Sequence, residues 1–357
     1  MSTSLPLIAQ KSDLFGLDIG AETIKAVQLQ RKRGQISLRG AALGPLPPGL
    51  VSEGTIQKPK ELAEHIRSLI KTSTTGQITA SSVSSSLPAS RIFTRLVTLP
   101  KLRKGELREA ISLEVEQSIP IPATELYLDY ATIGHYREGR EYRQDVLIAA
   151  APKRIVESYL ELFKELHLLP FALETELEPI SRAISLSARH NSPKLITDIG
   201  AEATDFSIVV GGGLRLTGSV PVGGTHFTEA IAKGLKLKPE QAEALKLRNG
   251  LNGKSGEKTV LSEIEPLLEN ITTELRRMLR FYQDRSSHDQ PISEVLLSGG
   301  SSSLTGLDSY LSGKLSLRVA QADPWQAIKT SHPIDRSVAP LYTTAIGLAL
   351  GGFDANH

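Results

Sequence analysis

A chain of 357 residues with 40% hydrophobic and 22% charged side chains has the make-up of a soluble protein built as two lobes rather than one core. Its formal net charge of +2 gives no bulk attraction to nucleic acid or lipid, so neither is expected as a direct partner. The absence of cysteine excludes disulfides, cysteine nucleophiles and Cys-rich zinc sites, and no apolar run approaches the ~20 residues of a membrane helix. Residues 1–11 lack the pattern of a signal peptide, and a cytoplasmic location is expected.

In chain order, residues 15–29 read as a hairpin around Asp18-Ile19-Gly20-Ala21-Glu22, and 36–43 adds a strand broken by Pro45, Pro47, Pro48 and Gly49. Arg31-Lys32-Arg33 reads as a solvated hairpin tip. The spacing of Leu62, Ile66, Leu69 and Ile70 predicts a helix over 60–71, and the serine-rich 81–86 suits a strand. A strand at 92–99, a helix at 104–118, strands at 127–133 and 145–151 around a polar loop at 136–144, and an amphipathic helix at 153–167 form an inserted subdomain. A helix over 174–189 leads to a second copy of the first motif, Asp198-Ile199-Gly200-Ala201-Glu202. A hairpin around Gly211-Gly212-Gly213, a strand and turn at 219–224, a helix from Thr225 and a short helix at 239–248 follow. Ser262 and Glu265 read as a capping box opening a long helix with Ile264, Leu268, Ile271, Leu275, Leu279 and Tyr282 on its core face. Its Arg276, Arg277 and Arg280 read as a solvated face. A buried strand at 294–297 runs into Ser298-Gly299-Gly300-Ser301-Ser302, and the apolar 342–350 predicts a buried helix. The alternation is that of an α/β protein, and the repeated motif indicates two related lobes.

Each copy of the repeated motif lies between two strand-like runs. A turn of this kind sets a carboxylate beside glycine backbone that a phosphate can approach, and two facing turns make a clamp for a nucleotide and its metal. Asp18 and Asp198 are the candidates to hold magnesium, through water because that ion keeps most of its waters, and to position a reacting water. Gly20 and Gly200 would offer backbone N–H groups to phosphate, and Lys25 would offset its charge. Thr204 and Asp205 extend the second turn, as phosphate donor and orienter of metal-bound water. Gly299 and Gly300 would let a flat base or ribose lie against the backbone, and Glu243 and Lys246, on one helix face, would hold ribose hydroxyls. Plainer readings stand beside these. Asp and Gly are common in hairpin turns, Thr204 and Asp205 can satisfy turn backbone, and Glu243 with Lys246 can be a surface ion pair. No Walker A loop, dinucleotide glycine motif or nucleophile elbow is present, and the eight histidines show no metal-ligand spacing.

The two DIG turns and the SGGSS turn, in this order, resemble those of the actin, sugar kinase and heat-shock seventy ATPase superfamily. Within it the chain is most similar to the PilM type, relatives of the cell-division protein FtsA. The likeness covers about 14–352. It is carried by Leu17-Asp18-Ile19-Gly20 with Lys25, RLVTLP at 95–100, EVEQSIPIP at 114–122, 147–152, ETE at 174–176, PVGG at 221–224 and 297–301. The resemblance implies a two-lobed actin-like (ribonuclease H-like) ATPase fold. Lobe 1A would span 13–89 and 171–192, a 1C subdomain 90–170, lobe 2A 193–225 and 291–357 with a closing helix, and a 2B subdomain 226–290. ATP or ADP with Mg2+ would lie between the lobes. Asp18, Gly20, Ala21, Glu22 and Lys25 map to the first phosphate loop, and Asp198, Gly200, Ala201, Thr204 and Asp205 to the second. Gly299, Gly300 and Ser301 map to the adenosine turn, and Glu243 and Lys246 to the helix that contacts ribose and adenine.

The resemblance also implies a cytoplasmic scaffold of the inner-membrane assembly platform of a type IV pilus or related secretion system. Such a scaffold binds the N-terminal cytoplasmic peptide of a PilN-like membrane protein in an ATP-linked manner, in a groove between 1A and 1C, and joins the platform that couples to assembly motor ATPases. An FtsA-like, self-associating filament protein is the alternative. A sugar-kinase-type phosphotransferase is a further one, for which the chain offers no clear general base. The family usually carries Ser or Thr after the turn glycine; Ala21 and Glu22, repeated by Ala201 and Glu202, remove those donors and add negative charge. ATP binding is therefore expected with at most weak hydrolysis. Residues 353–357 form no amphipathic helix, so direct membrane anchoring is not expected.

Overall fold

The computed structural model describes residues 13–354 apart from 139–140, 188–191, 253–258, 286–289, 333 and 336. The chain opens with a meander of β1 (Leu14–Ile19), β2 (Thr23–Lys32) and β3 (Gln35–Pro45). The small hairpin of β4 (Val51–Ser52) and β5 (Thr55–Ile56) precedes α1 (Pro59–Thr72), β6 (Thr75–Gly76) and β7 (Ser82–Leu87). Strand β8 (Phe93–Pro100), α2 (Lys104–Ser118), β9 (Leu126–Glu138) and β10 (Glu141–Pro152) form the inserted unit. The chain returns through α3 (Lys153–Leu166), β11 (Leu169–Thr175) and α4 (Leu177–Ser187). The second half repeats the opening as β12 (Lys194–Ile199), β13 (Thr204–Val210) and β14 (Gly213–Val220). It continues through α5 (Gly224–Leu235), α6 (Pro239–Asn249), α7 (Val260–Arg285), β15 (Glu294–Ser298), α8 (Leu307–Leu315), β16 (Arg318–Gln321) and α9 (Thr343–Asp354).

The two large sheets share one topology. In the first the order is β11-β7-β1-β2-β3-β6; in the second it is β14-β13-β12-β15-β16. Each is an antiparallel meander whose first strand takes a parallel neighbour reached by a long crossover, with a second parallel strand beyond it. The repeat seen in the motif is therefore a repeat of five strands, with β6 an added edge strand of the first sheet. The inserted unit is a separate antiparallel sheet, β8-β10-β9, with Leu107, Ile111 and Val115 of α2 packed on Val97, Val146 and Ile148.

Both faces of the first sheet are covered, which is why β1 is buried along its whole length. Phe15 and Leu17 pack with Leu62 and Ile66 of α1 and Ile155 and Tyr159 of α3. The other face lies under α9, and the approach is close: a Cβ on Gly16 would sit 2.1 Å from the Ala345 carbonyl oxygen. In the second half, Ile264, Leu268, Ile271 and Leu275 of α7 join Phe206, Ile208, Phe227 and Val295 in one core. The apolar last helix is buried as its composition predicts, and it lies on β1 and α4, so the chain crosses back to the first sheet after β16. Among the described residues no helix is long and apolar enough to cross a membrane.

Four local expectations are corrected. The helix expected at 174–189 starts only at Leu177, because 169–175 pairs in parallel with β7 as strand β11. The polar 136–144 is mostly strand: β9 and β10 pair out to Glu138 and Glu141, because backbone ladder bonds form whatever the side chains are. The expected separate strand from Ser219 is the end of β14. The long helix begins at Val260, with Thr259 rather than Ser262 as its cap. The Thr259 N–H donates to Ser262 Oγ at 3.0 Å and the Ser262 N–H to Thr259 Oγ1 at 3.3 Å, a reciprocal pair without Glu265.

Candidate functional site

The two repeated turns have the same local construction. The Gly20 N–H donates to the Thr23 carbonyl at 3.0 Å, and the Gly200 N–H to the Ala203 carbonyl at 2.9 Å. Asp18 stands opposite Lys25 across its hairpin and Asp198 opposite Asp205 across the other. Each leading carboxylate is then held by a serine of the parallel neighbour strand. Ser86 of β7 donates to Asp18 Oδ1 at 3.0 Å, and Ser298 at the end of β15 donates to Asp198 Oδ1 at 2.5 Å. Lys25 Nζ completes the first set, 2.8 Å from Asp18 Oδ2.

Between the lobes lies a cleft of about 1100 Å³. Asp18, Gly20, Ala21, Glu22 and Lys25 line it from one side, and Asp198, Gly200, Ala201 and Asp205 from the other. Glu243 and Lys246 of α6 and Gly299, Gly300 and Ser301 after β15 line it as well. Thr204 does not: it is fully buried, and its Oγ1 donates to the Val222 carbonyl at 2.7 Å. Gly299 has φ +85°, and a Cβ there would lie 2.5 Å from the Ile199 carbonyl oxygen, so the turn closes tightly over β12 only as glycine. Ser301 Oγ donates to the Gly200 carbonyl at 3.2 Å and ties this turn to the second phosphate-loop candidate.

Lys246 is buried, and its ammonium meets the Gly224 carbonyl (2.9 Å), Thr228 Oγ1 (2.8 Å) and Glu243 Oε2 (2.7 Å). An ammonium has three donors, so all of them are engaged within the lobe. Glu243 is the member of this pair with an exposed side chain.

Two residues of the site were not legible as such, one lining the cleft and one buried behind its wall. Glu176, at the end of β11, brings a further carboxylate toward Asp18, Asp198 and Asp205, and accepts the Ala89 N–H at 3.2 Å. Its only sequence signal was the ETE likeness. Ser86 was one serine among several in a strand; its signal was burial, since Ser84, Ser85 and Ser86 are all inside.

The electrostatics are those of a carboxylate cluster drawn out of water. Burial pushes Asp198 up to about 6, with the Ser298 hydrogen bond opposing. Burial pushes Asp205 up to about 7, against a bond to Ser219 and with Asp198 adding to the rise. Glu176 is raised well above the usual carboxylate range, first by burial and then by the three aspartates. Asp205 Oδ1 is buried with no hydrogen-bond partner. A divalent cation fits this surplus of negative charge. Among the described residues no three His, Asp or Glu side chains converge as a metal-ligand group.

Comparison with known proteins identifies the family and the fold. The model of the family described as "Type IV pilus assembly protein PilM" matches residues 16–353. The chain belongs to the PilM family. A chain of the solved PilM-PilN type IV pilus biogenesis complex superimposes with a TM-score of 0.82 at 29% identity, covering 96% of this chain and 99% of that one. The ethanolamine utilization protein EutJ from Carboxydothermus hydrogenoformans (TM-score 0.55, 17% identity, covering 94% and 88%) shows the same fold. So does MreB 5 of Spiroplasma citri bound to AMPPNP (TM-score 0.52, 14% identity, covering 98% of each). Among curated sequences, FtsA of Escherichia coli K12 is 26% identical over 178 residues, 43% of this chain and 42% of that protein. The chain spans less than half the length of the FtsA relatives it matches. The PilM-family chain has the two-lobed actin-like ATPase fold that the resemblance implied.

Proposed function

We propose that this PilM-family protein is a nucleotide-binding scaffold of the type IV pilus, or a related secretion system, at the cytoplasmic face of the inner membrane. ATP or ADP would occupy the cleft between lobe 1A (13–89 and 171–192) and lobe 2A (193–225 and 291–357, whose closing helix α9 reaches back onto β1). Subdomains 1C (90–170) and 2B (226–290) would flank them. The observation that carries this reading is the matched pair of Asp-Gly turns, each with its serine-held carboxylate, on opposite walls of one cleft.

Gly20 with Ala21 and Gly200 with Ala201 would offer backbone to the phosphates, and Lys25 would offset their charge. Gly299, Gly300 and Ser301 would take the nucleoside, and Glu243 would accept from ribose with Lys246 holding it in place. Asp18 and Asp198 would orient the waters of Mg2+, with Asp205 and Glu176 behind them; Thr204 would support the turn from within. The metal, when bound, supplies charge neutralisation to the phosphates. The partner would be the N-terminal cytoplasmic peptide of a PilN-like membrane protein, seated between 1A and 1C, with its affinity set by the angle between the lobes. Assembly motor ATPases would be further partners.

Calorimetric titration with Mg-ATP and Mg-ADP tests the reading. Micromolar binding that is lost in the folded Asp18→Ala/Asp198→Ala variant is expected. Equal affinity in the variant and the parent would sink it.

A further inference from the structure

The start of α5 is fastened to the second turn. The Gly224 N–H donates to the Gly200 carbonyl and the Thr225 N–H to the Ala201 carbonyl, both at 2.9 Å. Lys246 clamps the same place from α6, through the Gly224 carbonyl and Thr228. The second turn, the first residues of α5 and the adjoining face of α6 are thus one rigid block. Among the described residues, one side chain of the first turn reaches it: Glu22 Oε1 accepts a hydrogen bond from Thr225 Oγ1 at 3.1 Å. Glu22 is itself seated, its carbonyl accepting the Leu46 N–H at 2.8 Å.

We propose that Glu22 and Thr225 form a latch that ties the two lobes across the mouth of the cleft, and that Lys246 is a positioning residue that keeps Thr225 in reach. The acidic residue that stands in the first turn in place of a hydroxyl side chain then has a use: it closes the cleft from within the protein. The link of this latch to nucleotide rests on the nucleotide-binding reading above; the latch itself does not.

The chain has no cysteine, so a labelled pair can be introduced cleanly. Glu64→Cys on α1 and Glu240→Cys on α6 are both exposed. The interlobe distance is measured with paired fluorophores in the full, nucleotide-free chain. Glu22→Ala and Thr225→Val are each expected to shift the open-to-closed ratio by about twofold to tenfold, the effect of losing one ordinary hydrogen bond. The double variant should move it no further, and Thr225→Ser, which keeps the hydroxyl, should match the parent. Lys246→Met should open the cleft and leave Thr225→Val with less to remove. Unchanged distances in Glu22→Ala and Thr225→Val, or effects that simply add in the double variant, overturn the proposal. Adding Mg-ATP to the same labelled protein separates the two readings: closed lobes that open in these variants but bind no nucleotide support the latch and sink the nucleotide reading.

Discussion

Lys25 and Asp205 occupy the same register position in two hairpins of like construction, and they carry opposite charge. Lys25 faces Asp18 and neutralises it at 2.8 Å; Asp205 faces Asp198, and both carboxyls of that pair are raised. The repeat is thus kept in the backbone and reversed in its electrostatics. The first wall of the cleft is internally paired, whereas the second holds charge that only a cation or a proton relieves.

This asymmetry sets a pH dependence. A carboxyl whose folded pKa is raised binds its proton more readily in the folded state, so its stabilisation is complete below the unfolded value and lost as pH rises through the folded one. For Asp198 and Asp205 that loss runs upward from 3.8 through about 6 and about 7. The melting temperature of the metal-free protein is expected to fall between about pH 5 and pH 8, with Asp205→Asn flattening the upper part of the profile. Thermal melts across that range decide it; a profile identical for parent and variant rejects the assignment.

Lys25 and Asp18 are both inside, so removing one leaves the other as an uncompensated buried charge. Lys25→Met is expected to cost about 3–5 kcal/mol in denaturant unfolding, and Lys25→Met with Asp18→Asn substantially less. A double variant as unstable as the sum of its parts would show that the two do not act as a pair.

Close contact of α9 with β1 makes Gly16→Ala an overpacking change, expected to cost about 1–3 kcal/mol or more. Gly313 in α8 has open space around its Cβ position, and Gly313→Ala is expected to add roughly 0.5–1 kcal/mol. Opposite shifts in the unfolding midpoint are the outcome to look for.

The capping arrangement of α7 predicts that Thr259→Ala costs about 1 kcal/mol, while Glu265→Ala stays within about 0.5 kcal/mol. Equal costs at the two positions would restore Ser262 and Glu265 as the cap.

Much of the site was legible because much of it is local. A strand, an Asp-Gly turn and a strand are contiguous residues, so Asp18, Gly20, Asp198 and Gly200 could be read directly, as could the glycine turn after β15. The core faces of α1 and α7 were equally plain from their periodicity. Strand β11 was not, because its seven residues alternate weakly and owe their conformation to β7 beside them.

By itself the sequence determined that there are two related halves, each opening on an acidic glycine turn between strands, and that no cysteine chemistry takes part. The tertiary structure alone decided what surrounds those turns. Ser86 meets Asp18 and Ser298 meets Asp198 because a crossover lays a distant strand parallel to each turn. Glu176 enters the cleft through a strand edge, and Lys246 turns inward because α5 offers it a carbonyl and a hydroxyl. Thr225 finds Glu22 only because the two lobes face each other. Hydrogen bonds between side chains tens to hundreds of residues apart depend on where whole sheets are placed, and no local pattern encodes that placement.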